Sequence, residues 1–392
     1  MAPPQPELRL VTGRILALAL VLATAACGGS AAHASKPSPS PSASPSATVT
    51  VLPPSTPSGP ADLPVTQVGF TCRLPAVVTS GGGNSVSYQG GLLGFPAATF
   101  VPDANGVITA GLSPPEVSTQ AGPVLSGVPQ DGPTFYDAAL HRWVPVSSVQ
   151  ASPDGSSYAY VGNPAGLRVT FHIVEVATAT EKTFTVAVPN IGTANGVQVM
   201  DYDGSGVFFA VTQVQADPVG VWRLDARAGS VTALARVANV MAVRAGYAWA
   251  GVLDPHDPNP PTGTASGPLF NSIVQVNLSN GAQTAWYYSP GRSQTLLGLA
   301  SSRIVINIAD APDFSPVGGE VRLLDHPSTG AEDSGQLLSG GGVELIDPQA
   351  DGDRVWFGSD RGIYLYTPDG GLQKVFAFAG SSATIAPAGP CR

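Results

Sequence analysis

A hairpin pattern repeats six times between residues 134 and 376: an apolar strand, a short turn often containing Asp, Asn, Thr or Gly, and a second apolar strand. Successive turns are 40, 48, 52, 48 and 42 residues apart, and they begin at Asp137, Ala177, Asp225, Asn277, Asp325 and Thr367. Another strand, turn and strand precede most copies, so each repeat has room for four strands. The spacing therefore predicts an all-β fold, a six-bladed β-propeller of four-stranded antiparallel blades.

One of the upstream turns carries a family pattern. Its residues are Ser152, Pro153, Asp154 and Gly155, and the apolar strand 158–161 follows. This arrangement resembles the turn found in TolB-like and WD-repeat-like β-propellers. The resemblance implies a propeller over residues 65–392 and indicates nothing about function.

The first blade needs strands from both ends of this region if the ring is to close. We expect residues 383–386 to complete a blade whose other strands lie in 70–79, 90–101 and 134–146. A seventh blade is the alternative, if the long stretch 65–133 holds an extra unit.

The two cysteines of the propeller region lie near its ends, at Cys72 and Cys391. Disulfides persist in exported proteins, and a bond between these residues would close the ring covalently. We therefore predict a Cys72–Cys391 disulfide, with two free thiols or an intermolecular bond as the alternatives.

Residues 1–26 have the pattern of a signal peptide, with Arg9 and Arg14 before an apolar run of about nine residues. Such a run is too short to span a bilayer as a stable helix. Small residues then precede Cys27, which resembles a bacterial lipobox and implies that Cys27 is lipidated. Thr24 departs from the Leu-like residue usual at that position, so the alternatives are ordinary cleavage with secretion and an uncleaved anchor.

Residues 27–64 contain Ser-Pro repeats and few large apolar side chains, so we expect a disordered tether. The predicted organisation is a signal peptide over 1–26, a lipidated N terminus and tether over 27–64, and a propeller over 65–392. The signal peptide and the lipobox-like Cys27 predict a protein that is anchored by lipid on the extracytoplasmic face of the cell membrane. The few lysines and abundant alanine and glycine indicate a GC-rich bacterial genome, so we expect a protein of actinobacterial type.

The charge balance limits the partners. The chain has 18 basic and 27 acidic residues, for a formal net charge of −9. Nucleic-acid binding requires a basic face, and the sequence shows none. We expect a monomer that contacts the membrane through its lipid and binds an unknown extracytoplasmic protein or glycan.

No cofactor is expected, because the five histidines are scattered and no H-x-x-x-H or C-x-x-C spacing occurs. Paired carboxylates on glycine turns are weak calcium candidates, but ordinary Asx turns explain them without a metal and are the favoured interpretation. These candidates are Asp201, Asp203, Asp351 and Asp353.

Two long loops follow the second strand in consecutive blades, and both combine acidic residues with proline. Function in such folds is often carried by long loops on one face, so an acidic binding rim is one hypothesis and an unconstrained insertion is the other. The candidate rim residues are Asp254, His256, Asp257, Asp310 and Asp313.

The sequence favours a binding or scaffolding module. The alternative is an extracellular glycan or peptide hydrolase or lyase with its site in the propeller channel, although no G-x-S-x-G motif is present. The lining of the channel discriminates the two, because paired carboxylates with a histidine would support an enzyme, whereas small and apolar residues would not.

Overall fold

The protein is described by a computed structural model that covers residues 62–392 with short gaps. The gaps are 83–84, 111–115, 118–121, 129–133, 163–167, 189–195, 213–219, 238, 259, 262–268, 311–318, 329–334, 340–342 and 380–381. The predicted signal peptide, Cys27 and the tether up to residue 61 lie outside the described residues. Within the described part of the chain, no helix is long and apolar enough to span a membrane.

The described chain contains 27 strands and one short 3₁₀ helix. The strands before residue 150 are β1 (Cys72–Gly82), β2 (Ser85–Phe95), β3 (Thr99–Ala110), β4 (Glu116–Val117), β5 (Leu125–Ser126), β6 (Phe135–Asp137) and β7 (Arg142–Val144). Those up to residue 252 are β8 (Ser157–Val161), β9 (Arg168–Glu175), β10 (Glu181–Ala187), β11 (Gly196–Asp203), β12 (Gly206–Thr212), β13 (Val221–Leu224), β14 (Val231–Ala235), β15 (Val240–Arg244) and β16 (Tyr247–Val252). The last are β17 (Ser272–Asn277), β18 (Gln283–Tyr288), β19 (Arg292–Ala300), β20 (Arg303–Asp310), β21 (Glu320–Leu324), β22 (Gln336–Ser339), β23 (Ile346–Asp351), β24 (Arg354–Gly358), β25 (Gly362–Thr367), β26 (Gly371–Ala377) and β27 (Ala383–Pro387).

These strands form a six-bladed β-propeller. Blades 3 to 6 each use four consecutive strands, β11 to β14, β15 to β18, β19 to β22 and β23 to β26. The first strand of each blade is innermost, and β11, β15, β19, β23 and β27 contact one another in that order around the axis. The prediction of six four-stranded blades is therefore confirmed, with blade 2 a variant of the pattern.

Blade 1 closes the ring. Its strand order is β27-β1-β2-β3, so the innermost strand comes from the far end of the chain. In the antiparallel β1–β27 pair, Ala76 lies opposite Pro387. The predicted Cys72–Cys391 disulfide is present beside this pair, with the two Cα atoms 5.6 Å apart.

The prediction that 134–146 belongs to blade 1 is wrong. Strands β1, β2 and β3 already supply three positions of that blade, and β6 and β7 pair only with each other. Their hairpin instead packs against the blade, because the Trp143 ring lies over Gly90 and its Nε1 donates a hydrogen bond to Asp103, 2.9 Å away. The stretch 65–133 thus contributes to blade 1 and adds no seventh blade.

Blade 2 has three described strands, in the order β10-β9-β8. Its inner position is taken by the 3₁₀ helix Ser148–Gln150 and by Ala151, which makes a single bridge to Tyr158. The Gln150 amide holds this segment by donating to the carbonyl oxygens of Val128 and Ala159.

The repeated turns owe their shape to side chains that accept backbone hydrogen bonds. Asp225 Oδ1 accepts from the N–H groups of Arg227 and Ala228, both at 2.8 Å, and Asn277 Oδ1 accepts from Ser279 at 2.9 Å. Such Asx turns form from local sequence alone. They explain why the spacing predicts the hairpins of blades 3 and 4 correctly.

The core lies between blades. Between blades 1 and 6, Trp356 is fully buried and stacks on Phe95 with ring centroids 5.4 Å apart, while Phe70 contacts both rings. Comparable apolar clusters fill the space between blades 2 and 3 and between blades 4 and 5. Each blade therefore buries its faces only against its neighbours.

Residues 62–66 lie along the outer strand of blade 6. Val65 forms a parallel bridge with Lys374, and Thr66 N donates to the Lys374 carbonyl at 2.7 Å. The Lys374 ammonium, 6% exposed, pairs with the Asp62 carboxylate. Contacts of the propeller thus begin at Asp62, within the stretch that the sequence assigns to the tether.

Candidate ligand-binding site

A cavity of about 530 Å³ lies on the propeller axis. It is formed mainly by the second halves of the inner strands, close to the turns that lead into the second strands. The residues that line it come from the inner positions of all six blades and from residues 134–135. They are Thr134, Phe135, Ser148, Val149, Met200, Met241, Ala242, Val243, Arg244, Leu296, Leu297, Gly298, Leu299, Ser301, Asp347, Pro348, Gln349, Ala350, Pro387 and Ala388.

Most of the residues in this lining are of apolar type, but polar atoms supply the larger part of the surface that faces the cavity. The side chains of Met200, Met241 and the three leucines of β19 pack into the apolar clusters between blades. The cavity has the size of a small-molecule site.

Arg244 is one of two charged residues in the lining. It is the last residue of β15, and it is half-buried. Its guanidinium makes no hydrogen bond or ion pair with any other residue that the structure describes. A guanidinium held this way offers several N–H donors to an anion.

Asp201 lies on β11, the inner strand of the neighbouring blade, and its charge interacts with that of Arg244. Its carboxyl group is buried, 7% exposed, opposite Phe208 of β12. Burial raises the pKa of Asp201 to about 6, although the charge of Arg244 lowers it and the charge of Asp203 raises it further. Asp201 thus changes charge near neutral pH next to the cavity.

Thr134 supplies an unsatisfied polar group at the cavity wall. Its side chain is fully buried, and its hydroxyl has no hydrogen-bond partner. Buried hydroxyls are normally paired with protein, water or a ligand. The Thr134 hydroxyl oxygen is enclosed by protein atoms, so it lies behind the surface that faces the cavity.

Asp347 is the second charged residue of the lining. It has a left-handed backbone conformation, with φ of 49°, at a bulge in β23. Burial raises the pKa of Tyr88 in blade 1, and the negative charge of Asp347 adds to that shift. The Asp347 carboxylate therefore acts on blade 1 as well as on the cavity.

The acidic loop after β16 is fixed by its own side chains. Asp257 is buried and accepts hydrogen bonds from Asn271 Nδ2 at 2.6 Å and from the N–H of Gly291 at 2.8 Å. Asp254 is half-buried and forms an Asx turn with the N–H of His256, which is exposed. The Asp257 carboxylate therefore anchors the loop to the start of β19.

The remaining rim candidates cannot be placed with these three. Asp310 ends β20 opposite Arg292, and Asp313 lies outside the described residues. The rim hypothesis stays a prediction.

The calcium candidates occupy separate turns. Asp203 Oδ1 accepts from the N–H of Ser205 at 2.7 Å, and Asp351 Oδ2 accepts from Trp356 Nε1 at 3.1 Å. Asp353 is exposed on the turn after β23. Among the described residues, no three His, Cys, Asp or Glu side chains are grouped as a metal site would require.

The described lining of the cavity carries one carboxylate and no histidine. Sequence reasoning did not select Arg244, Thr134 or Asp347. The place of Arg244 on the axis depends on ring closure, so no local sequence pattern marks it.

No family model matches the chain, and no curated protein matches it. Among solved structures, it is similar to the β-propeller domain of the Trilobed protease from Pyrococcus furiosus, with 9% identity over 78% of this chain and 86% of that one, at a TM-score of 0.42. It is also similar to a prolyl endopeptidase, with 16% identity over 58% of this chain and 36% of that one, at a TM-score of 0.41. It is also similar to an oligogalacturonate lyase from Vibrio parahaemolyticus, with 11% identity over 79% of this chain and 91% of that one, at a TM-score of 0.38.

The matched region spans about a third of the length of the prolyl endopeptidase. We infer no activity from these similarities, and the assignment of six blades rests on the strand order of the sheets themselves.

Proposed function

We propose that the protein is a lipid-anchored extracytoplasmic binding module that holds a small ligand in its axial cavity. The observation that carries the proposal is the cavity itself, with the Arg244 guanidinium in its lining. Paired acid and base groups would be needed for hydrolysis or lyase chemistry, and the described lining offers a single carboxylate. Binding without catalysis is therefore the function that the geometry supports best.

Export and anchoring are part of the same proposal. The disulfide supports folding in an oxidising compartment. The sequence around Cys27 supports lipid attachment, and several acyl chains on one cysteine hold a protein stably at a membrane.

An uncharged fluorescent probe tests binding in the cavity. We expect 1-anilinonaphthalene to bind the purified protein at one site, because a cavity of about 530 Å³ can shield much of its ring system from water. Ala242 lies in the wall, so Ala242→Phe should fill part of the cavity and weaken binding at least tenfold. Fluorescence titration measures the affinity.

Thr183→Phe is the matched control, since Thr183 is exposed on the outer strand β10. It should leave the affinity unchanged, and both variants should unfold at the wild-type temperature. Failure of the probe to bind, or equal binding by Ala242→Phe, would contradict the proposal.

Growth with an alkyne-bearing fatty acid tests the anchor. Wild-type protein should incorporate the label and sediment with membranes, whereas Cys27→Ala should lose the label and appear in the soluble fraction. Labelling that persists in Cys27→Ala would show that the lipid is attached elsewhere, and unlabelled wild-type protein would favour secretion.

A further inference from the structure

The short hairpin of β6 and β7 lies between blade 1 and blade 2. Its Trp143 belongs to an apolar cluster with Val77 and Ile108 of blade 1, and its Val144 belongs to another with Tyr158 of blade 2. Each hairpin strand has three residues, about 10 Å, whereas β1 and β3 have 11 and 12 residues, more than about 35 Å. The hairpin is therefore too short to cover the whole face of blade 1 that points towards blade 2.

The covered part of this face ends at Pro75, which is buried, and at Gly90, over which the Trp143 ring lies. The sheet continues beyond that point. Leu92 of β2 lies opposite Pro75 on one side and Val101 of β3 on the other. Leu92 is half-buried and Val101 is 60% exposed, so aliphatic side chains on this part of the blade face solvent.

The uncovered part of the face forms a groove of about 550 Å³, and apolar atoms supply most of its surface. Leu92 and Val101 belong to none of the buried apolar clusters of the described chain, so their surface is open to a ligand. Gly94 gives the groove depth, because a Cβ atom there would meet no described atom within 4 Å except the Thr99 carbonyl oxygen, at 3.9 Å. The residues that define this blade 1 groove are Arg73, Leu92, Gly94, Thr99, Val101 and Asp103.

The two charged residues of the groove differ in their surroundings. Asp103 is held in place, since its Oδ1 accepts from the N–H of Asn105 and its Oδ2 accepts from Trp143 Nε1, both at 2.9 Å. Arg73 lies opposite Gly94 and is exposed, and its guanidinium makes no hydrogen bond or ion pair with any other residue that the structure describes. The N–H donors of Arg73 are therefore free to bind an anion beside the apolar floor.

We infer that the blade 1 groove binds free amphipathic anions, small molecules with one aliphatic chain and one carboxylate-like group. The chain lies over Gly94 against Leu92 and Val101, and the anionic group pairs with Arg73. The negative charge of Asp103 keeps the anion away from the other part of the groove. The groove shares no lining residue with the axial cavity, so it is a second site, beyond the proposed function.

Octanoate and octanamide test the inference, because they have the same chain and differ in charge. We expect octanoate to bind the purified protein at pH 7 and octanamide to bind at least threefold more weakly, since the amide forms no ion pair with Arg73. High salt should reduce this preference, because the guanidinium is exposed and its charge is screened. Isothermal titration calorimetry measures both affinities, at octanoate concentrations too low for micelles.

Filling the groove should abolish the site without disturbing the blade. Gly94 has no left-handed backbone conformation and no close neighbour on its open side, so Gly94→Leu should fold normally and weaken octanoate binding at least tenfold. Gly204→Leu is the matched control, on an exposed turn of blade 3 with equally open space. It should bind octanoate as wild type does, and both variants should unfold at the wild-type temperature.

Substitutions of Arg73 assign the anion to the guanidinium. Arg73→Gln should bind octanoate and octanamide with equal affinity, and Arg73→Lys should keep part of the preference for octanoate. The apolar part of the affinity should remain in both variants, because the chain still lies over Gly94.

The absence of saturable octanoate binding, or equal binding by wild type and Gly94→Leu, would overturn the site. Equal affinities of wild type for octanoate and octanamide would overturn its preference for anions. The axial cavity is tested separately, by 1-anilinonaphthalene and Ala242→Phe, so either proposal can fail while the other stands.

Discussion

Replacing Cys72 and Cys391 by serine is expected to lower the free energy of unfolding by about 4 kcal/mol. The bond joins residues 319 positions apart, so its loss releases a very long loop in the unfolded chain. Urea unfolding of the double variant, followed by tryptophan fluorescence, measures the change.

Reduced wild-type protein is the matched comparison, because it lacks the bond but keeps both side chains. It should unfold at the same urea concentration as the variant. A change below about 1 kcal/mol in both samples would show that the backbone pairing of β1 with β27, and the reciprocal hydrogen bonds between Arg73 and Arg392, close the ring without the disulfide.

Removing the carboxylate of Asp62 is expected to cost about 3 kcal/mol of unfolding free energy. The Lys374 ammonium, buried against blade 6, would lose its counter-ion, and the Tyr364 hydroxyl would lose the acceptor that lies 2.8 Å away. A buried charge left alone is far more costly than a buried pair replaced by apolar groups. Urea unfolding of Asp62→Ala at pH 7 measures the loss.

Lys374→Met distinguishes the charge effect from simple loss of contact. It removes the buried ammonium and leaves Asp62, which is 34% exposed, facing water, so it should cost no more than about 1 kcal/mol. The double variant should recover most of the stability lost in Asp62→Ala. Additive losses in the double variant would contradict a coupled pair.

The effect of Asp62 also has a defined pH range. Burial alone would raise its pKa, but the hydrogen bonds from Lys374 and Tyr364 hold the pKa below its ordinary value of 3.8. A lowered carboxyl pKa contributes stability above pH 3.8, and this contribution is lost as the pH falls through the folded-state value. The difference between wild type and Asp62→Asn should therefore be constant near neutral pH and shrink in strong acid.

Features set by local chemistry were predictable from the sequence. The turns at Asp225 and Asn277 form because their own side chains accept the hydrogen bonds of nearby N–H groups. The same local chemistry misled the prediction at Asp137, which accepts from Ala139 and Leu140 in the same way. The hairpin of Asp137 has the same turn as the blade hairpins, but its strands β6 and β7 pair only with each other and with no further blade strand.

Features set by contacts between distant residues were not predictable in this way. Strand β2 contains several glycines and turns into β3 at Pro96, so blade 1 lacks the repeated turn pattern. Asp257 lies in a proline-rich loop that the sequence offers as a binding rim, but its side chain is buried and accepts hydrogen bonds from Asn271 and Gly291. The cavity depends on which residues of six inner strands face the axis, and that is decided only when the ring closes.

Blade 1 combines strands from both ends of the propeller region, and this fixes the order in which the blades can form. Strand β1 emerges early during synthesis, yet its inner partner β27 lies more than 300 residues further along the chain. Blades 3 to 6 can each form from consecutive strands as they appear, whereas blade 1 must wait for the distal strand. A chain that is threaded through a membrane before its last strand is made would thus cross with its first blade still open, and would close only on the far side.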